Sequence, residues 1–244
     1  MPGLLSVNIN KYALLRNSRG HNNPDLCAAI DTCLAAGAHG ITIHPRRDQR
    51  HIRFDDVPTV AAHLRDRHPG VELNIECEDH APILDMVLDI RPAQCTLVPV
   101  TPGEITSDHG WDLPAQTDHL RPIIARLKAA GIRTSIFMDC EPGQMAAAAE
   151  TGVDRVELYT GPYAWAWGTD RQAQETQRLW DTAAAAQAAG LGVNAGHDLD
   201  RFNLAGIQAV ASLDEVSIGH AQICRALEVG TTQSVQELLA ALGW

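Results

Sequence analysis

The sequence predicts an α/β fold: one (β/α)8 TIM barrel with a few extra helices, occupying residues 1–244 as a single domain. Three observations carry this expectation. Eight short apolar runs alternate with helix-length stretches, the pattern of βαβ units and a parallel sheet. The chain has 244 residues, which suits one eight-unit barrel. Nearly every apolar run ends in a polar or ionisable residue, and barrels of this kind place their chemistry at the carboxyl ends of their strands.

The elements follow in order. Leu4–Asn10 reads as the first strand. Pro24 and Asp25 then start a helix over Asp25–Ala36, and Gly37 stops it. Strand Gly40–His44 is followed by helix Asp55–Asp66, and strand Val71–Glu76 by helix His80–Ile90. Strand Gln94–Pro99 precedes helix Ala115–Ala130, which ends at Gly131. Strand Arg133–Asp139 precedes helix Pro142–Thr151, and strand Arg155–Thr160 precedes helix Asp170–Ala189. Strand Leu191–His197 leads to helix Arg201–Ala211. Strand Glu215–His220 leads to a pair, Ala221–Val229 and Thr232–Leu242, split at Gly230. Three connections are long: 16–24, 100–114 and 161–169. Loops of that length at one barrel face are expected to be lids or binding loops.

Composition narrows the function. Hydrophobic residues make up 45% of the chain, enough for a sizeable core. The net charge of −11 and pI near 5.4 argue against a nucleic-acid or anionic-membrane partner. A phosphate ligand must therefore be held by local positive charge. Six cysteines without a CxxC pair suggest reduced thiols and a cytoplasmic location. Lys11 and Arg16 interrupt the first apolar stretch, so no secretory leader is expected, and no run reaches the ~20 apolar residues of a membrane span.

Several strands alternate strictly. Val71, Leu73 and Ile75 oppose Glu72, Asn74 and Glu76; Val7 and Ile9 oppose Asn8 and Asn10. Ile41 and Ile43 oppose Thr42 and His44; Val156 and Leu158 flank Glu157; Val193 and Ala195 flank Asn194. The apolar sides must pack on helices, so the polar sides point into the barrel. Burying carboxylates and imidazoles costs several kcal/mol each unless they are paired. A ligand site is the expected reason for tolerating them, and a satisfied polar network is the alternative.

Three clusters carry chemistry. The stretch HPRRDQRHIR (44–53) sets Arg46, Arg47, Arg50 and Arg53 against Asp48, an expected anion clamp to which Lys11 and Arg19 add. The stretches NAGH (194–197) and IGHA (218–221) follow strands seven and eight, where barrels often bind phosphate, and Gly196 and Gly219 would let backbone N–H groups approach it. His44, Glu76, Glu157 and His197 suit several proton transfers on one substrate. They would also suit a divalent metal, although the flanking arginines disfavour a cation. The expectation is no metal. A metal-dependent phosphosugar lyase or isomerase, and a non-catalytic phosphometabolite binder, remain alternatives.

SVNIN with LRNSRG, GITIHPRRDQRHI, NIE, CTLVP with EITSDHG, RVELYTGPYA, VNAGH and SIGHA together resemble the pyridoxine 5′-phosphate synthase family over nearly the whole chain. The resemblance implies condensation of 1-deoxy-D-xylulose 5-phosphate with 3-amino-2-oxopropyl phosphate, giving pyridoxine 5′-phosphate, phosphate and water, with no cofactor. It implies proton transfer by His44 and Glu76, an acid role for His197 at a leaving group, and an orienting, proton-handling role for Glu157. It implies substrate contacts from Asn8, Arg19, Arg46, His51 and Thr106, a phosphate site at Gly219 and His220, and a homo-octamer. The chain departs from the family pattern at Asn10 and Lys11, at Pro45, and at Asp198, where glycine is usual. Lys11 could act as a fixed cation near phosphate or form a Schiff base. Asp198 would bring negative charge close to a phosphate site.

Overall fold

The computed structural model describes residues 2–101, 103–113, 115–210 and 213–244. Eight parallel strands close into a barrel in sequence order: β1 (Leu4–Asn8), β2 (Gly40–Ile43), β3 (Glu72–Cys77), β4 (Gln94–Leu97), β5 (Arg133–Met138), β6 (Arg155–Tyr159), β7 (Gly192–Gly196) and β8 (Leu213–Ile218). β8 pairs back onto β1 through Leu5↔Val216 and Val7↔Ile218. Among the described residues, no helix is long and apolar enough to cross a membrane.

The helices are α1 (Asn10–Asn17), α2 (Leu26–Ala35), α3 (Asp56–Arg67), α4 (Ala81–Ile90), α5 (Thr117–Ala129), α6 (Met145–Glu150), α7 (Gly161–Ala166), α8 (Gln172–Ala188), α9 (Leu204–Ile207), α10 (His220–Val229) and α11 (Thr231–Leu242). Their apolar stripes bury Ile30, Val60, Leu64, Ile83, Val87, Ile124, Leu179 and Leu238 against the outward strand residues Leu5, Val7, Ile41, Ile43, Ile75 and Val156. Start signals act where the sequence places them. The Asp25 carboxylate accepts the Ala28 N–H at 2.9 Å and caps α2, and Pro82 lies in the first turn of α4.

Element ends differ from the sequence expectation by a residue or two in several places, β8 starting at Leu213 and ending at Ile218 among them, and four differences have a local cause. β1 stops at Asn8, because the Asn8 side chain accepts the Asn10 N–H at 3.0 Å and turns the chain out of the ladder into α1. α7 lies inside the expected 161–169 loop; Pro162 sits in its first turn, where the missing N–H costs nothing. The expected helix Arg201–Ala211 shrinks to α9, because the Asp200 carboxylate takes the N–H groups of Phe202 and Asn203 and holds a turn; Ala211 lies outside the described residues. Helix Pro142–Thr151 opens as a short 3-10 turn over Pro142–Gln144 before α6.

The polar interior divides by depth. Towards the amino-terminal end, the buried Gln94 carboxamide oxygen accepts from Arg133 at 3.0 Å, Asn194 at 3.2 Å and Arg155 at 3.3 Å. Its amide donates to Glu215 at 3.3 Å, and Arg133 pairs with Glu72. This layer is a satisfied ionic network, so the alternative to a ligand site holds for the lower half. Burial pushes the Glu215 carboxyl up to about 7 against the opposing pull of Arg155, with Glu72 adding repulsion.

That shift gives a pH prediction. The folded value lies above an unfolded value of about 4.3. The group's contribution to stability is therefore complete below that pH and is lost as pH rises towards about 7. The loss is about 4 kcal/mol at most. Glu215→Gln keeps an oxygen for Gln94 and removes the titration. Denaturant midpoints of wild type should fall relative to Glu215→Gln between pH 4 and 7.5; parallel curves would contradict the shift.

Candidate active site

The upper half of the barrel opens into a cavity of about 450 Å³, a volume suited to small ligands. Its lining includes Asn8, Asn10, Lys11, His44, Arg46, His51, Glu76, Thr106, Glu157, His197, Asp198, Gly219 and His220. Of the residues to which the resemblance gives a role, together with Asn10, Lys11 and Asp198, all but one therefore share one space.

Arg19 is the exception. It is exposed beyond the end of α1, its N–H bound to the Arg16 carbonyl, and it does not line the cavity. Arg16 is the arginine that turns inward to the fold, gripping Asp56 through both carboxylate oxygens at 2.6 and 2.7 Å. Composition alone could not say which way either side chain runs.

One edge of the cavity is a chain of hydrogen bonds. His44, immediately after β2, donates its backbone N–H to the Asn10 side-chain oxygen at 2.9 Å. Its Nδ1 lies 3.3 Å from Glu76 Oε2, and Glu76 Oε1 accepts from Asn8 at 3.3 Å. The other ring nitrogen, Nε2, is buried without a protein partner among the described residues. Asn10 thus acts through the backbone of His44 rather than from the end of a strand.

Glu157, on β6, is buried, and its Oε2 has no partner among the described residues. Burial holds its carboxyl well above the usual range; the nearby charges of Glu76 and Glu215 add to this, and the Thr96 hydroxyl opposes it. The opposite oxygen occupies the place where a side chain on Gly196 would begin: a Cβ there would lie 2.2 Å from Glu157 Oε1. Gly196 therefore makes room for a carboxyl group, a role different from the phosphate approach expected from the sequence.

His197 follows β7 with φ of 88°, in the left-handed region. Thr160 fixes this turn by donating to the Gly196 and His197 carbonyls at 2.7 and 2.5 Å. The imidazole stands edge-on to Tyr159, with centroids 5.0 Å apart, and Nε2 lies 3.0 Å from the Thr106 hydroxyl. Nδ1 is 3.1 Å from Asp198 Oδ2, a charge contact without the alignment of a hydrogen bond. The same oxygen accepts the Trp165 indole N–H at 2.8 Å. Asp198, at φ 56°, is held below the ordinary carboxylate range first by His197 and then by Trp165. Its negative charge is committed to these two partners, and φ > 0 explains why glycine would suit the position.

The basic stretch splits. Arg46 is buried at the cavity rim and reaches Glu104 at 3.2 Å; Arg50 donates to the carbonyls of Glu104 and Ile105 at 2.9 and 2.7 Å. Arg47 turns away onto Glu78, and Arg53 is exposed. The clamp therefore has two arginines facing the cavity, and Glu78 and Glu104 join Asp48 in balancing the cluster. His51 accepts the Ile52 N–H at Nδ1 (2.9 Å), which places its proton on Nε2. Burial, helped by the charges of His44, Arg46, Lys11 and Arg50, pushes His51 down to about 3, so it is a neutral donor at pH 7.

On the far side of β1 from the arginine loop, β8 runs through Gly219 into the N-terminus of α10. A Cβ on Gly219 would lie 2.8 Å from the Asn8 carbonyl oxygen, so only glycine lets these strand ends approach. The free N–H groups opening α10 form an anion-binding terminus. The loop after β4 covers the cavity. Trp111 anchors it through the Leu97 and Phe137 carbonyls at 2.9 and 3.0 Å, while Ile105 is 91% exposed at its tip. Pro102 and Pro114 of this loop lie outside the described residues.

The sequence reading missed Ser107, Ser217, Val98 and Phe137, which also line the cavity. Val98, Phe137 and Tyr159 form a small apolar cluster separate from the main core. Ser217 was findable, since it shares strand parity with Glu215; Ser107 is placed by the loop and gave no periodic signal.

The family described as "Pyridoxal phosphate biosynthesis protein PdxJ" matches residues 5–243. A pyridoxine 5′-phosphate synthase of Albidiferax ferrireducens is 50% identical over 98% of this chain and 96% of its own length. One from Mesorhizobium japonicum is 47% identical over 100% of both. Among solved structures, the tryptophan synthase A-subunit of Pyrococcus furiosus superposes with a TM-score of 0.62 at 14% identity, covering 98% of each chain. Phosphoribosyl anthranilate isomerase from Thermus thermophilus gives 0.61 at 11%, again over 98% of each. These two likenesses show the barrel fold alone.

Proposed function

The chain belongs to the PdxJ family of pyridoxal phosphate biosynthesis proteins, and from that premise we propose how its cavity does the family's chemistry. The activity is synthesis of pyridoxine 5′-phosphate: a ring-closing condensation of 1-deoxy-D-xylulose 5-phosphate with 3-amino-2-oxopropyl phosphate, releasing phosphate and water. One observation carries the site assignment. His44, Glu76, Glu157 and His197 face a single cavity that buried Arg46 and the residues opening α10 also line.

Each step of the condensation moves protons: the amine adds to a ketone, water leaves, phosphate leaves, and the ring closes and loses water. His44 Nε2 takes and returns protons at the reacting carbons, with Glu76 at Nδ1 stabilising the charged ring. Glu157, kept protonated by burial and by Glu76, donates to a departing or polarised oxygen. His197, steadied by Thr106 and Asp198, protonates the leaving group. Arg46, Arg50 and the neutral His51 hold one phosphate, and Gly219, His220 and the α10 N-terminus hold the other. Lys11, also on the cavity wall, adds a fixed positive charge. The loop after β4 shields the intermediates from water. Work in the cytoplasm and assembly into an octamer belong to the same proposal; exposed Leu15 on α1 and Leu227 on α10 are apolar side chains that assembly would cover.

Arg46→Ala should weaken binding of the phosphate substrates by about 1.5–3 kcal/mol, the range for a charge-assisted hydrogen bond. Titration calorimetry with each substrate checks this, and unchanged affinity would remove Arg46 from the clamp. The reading as a whole is tested by supplying both phosphates together. The expected products are pyridoxine 5′-phosphate and an equal amount of inorganic phosphate; folded protein that yields neither would overturn it.

A further inference from the structure

Outside the cavity, two imidazoles and a carboxylate converge on the outer helix layer. His63 Nε2 and His68 Nε2 each lie 2.6 Å from the same oxygen, Asp31 Oδ1. Asp31 belongs to α2, His63 to the last turns of α3, and His68 is the residue that ends α3. The chain next enters β3 at Glu72, so the cluster lies at the amino-terminal end of the barrel, opposite the catalytic face.

The convergence is built by the sequence. Residues five apart on a continuous helix point about 140° from one another, so His63 and His68 could not share one partner there. Pro69 follows His68 and disfavours helical geometry at the residue before it. His68 accordingly leaves the helix at φ −134°, ψ 56°, and its ring returns to stand 5.6 Å from that of His63. Both imidazoles are largely buried, while Asp31 is half-exposed, so the group is held in place and remains reachable from solvent.

We propose that Asp31, His63 and His68 form a site for a borderline divalent cation of the zinc class. All three ligand atoms lie within 4.8 Å of one another. Two imidazole nitrogens and one carboxylate oxygen are the donor set such ions prefer, with water completing a tetrahedron. Bonds of about 2.0–2.1 Å require the nitrogens and oxygen to separate by under about 1 Å, which a half-exposed Asp31 side chain can supply. The ion takes the place of the two N–H protons that now bridge to Oδ1, each neutral ring carrying its proton on Nδ1 instead. It ties α2 to α3 and lies on the side of the barrel away from the proton-handling residues, so it acts on stability and leaves turnover unchanged.

The test uses Zn²⁺ and Co²⁺ on the purified full chain and on His63→Ala/His68→Ala. Calorimetry should find one Zn²⁺ per wild-type chain at a site at least tenfold weaker in the double variant. Co²⁺ should give a visible absorption band in wild type that the variant lacks. Zn²⁺ should raise the melting temperature of wild type only, and synthesis of pyridoxine 5′-phosphate without added metal should be equal in both. Asp31→Asn, which keeps the shape and a hydrogen-bonding oxygen, provides a second comparison should the double variant fold poorly. Superimposable Zn²⁺ isotherms in wild type and variants, whether from no binding or from binding in the cavity, would overturn the proposal.

Discussion

Replacing His44 with alanine should cut turnover by about 10²–10⁴-fold, the usual contribution of a positioned acid–base group. The expectation rests on geometry. His44 is buried, its Nδ1 is engaged by Glu76, and its Nε2 has no partner among the described residues. A histidine kept for packing would bond both nitrogens to protein, because an unpaired buried polar atom costs about 1–3 kcal/mol. The backbone bond from His44 to Asn10 survives in the variant, so the entry to the basic loop should persist. Steady-state rates with both substrates measure the effect. Calorimetry should show that phosphate binding remains, and near-normal rates would remove His44 from proton transfer.

Gly196→Ala should be nearly as damaging, although it adds one methyl group and touches no charge. Its Cβ would fall 2.2 Å from Glu157 Oε1 and 3.6 Å from Ser217 Cβ. The first contact is impossible, so the Glu157 carboxyl must rotate away. A displacement of about 1 Å in a catalytic group can cost about 10² in rate. Turnover should therefore fall about a hundredfold while affinity at the arginine rim holds. Because Gly196 acts through Glu157, the losses of Gly196→Ala and Glu157→Gln should not multiply in the double variant. Wild-type kcat in Gly196→Ala, or full multiplication, would show that Gly196 serves something other than Glu157.

Much of this could be read from the residues. Strict alternation in Val71–Glu76 and around Glu157 pointed the polar sides inward, and the strand ends named His44, Glu76, Glu157 and His197, which line one cavity. Parity does not give depth, however. Glu72, Asn194 and Glu215 have the same inward parity as Glu76 and Glu157, yet they lie in the satisfied lower network. The partners separate the layers: Gln94 gathers Asn194 and Glu215 and Arg133 holds Glu72, whereas Glu76 and Glu157 line the cavity. α1 escaped notice because Leu14 and Leu15 are exposed or face the cavity, leaving no apolar stripe to detect. The restraint on Asp198 by Trp165 was invisible for another reason. It joins residues 33 apart through a turn with positive φ, and neither spacing nor composition encodes such a contact.

The central claim is that the upper barrel stores exchangeable protons, Glu157 carrying one at rest, since burial first and then the charges of Glu76 and Glu215 oppose its ionisation. Difference infrared spectroscopy of wild type against Glu157→Gln at pH 7 tests this directly. The account predicts a protonated carboxylic-acid carbonyl band that vanishes in the variant. A carboxylate signal from Glu157 at that pH, with no acid band lost, would contradict it.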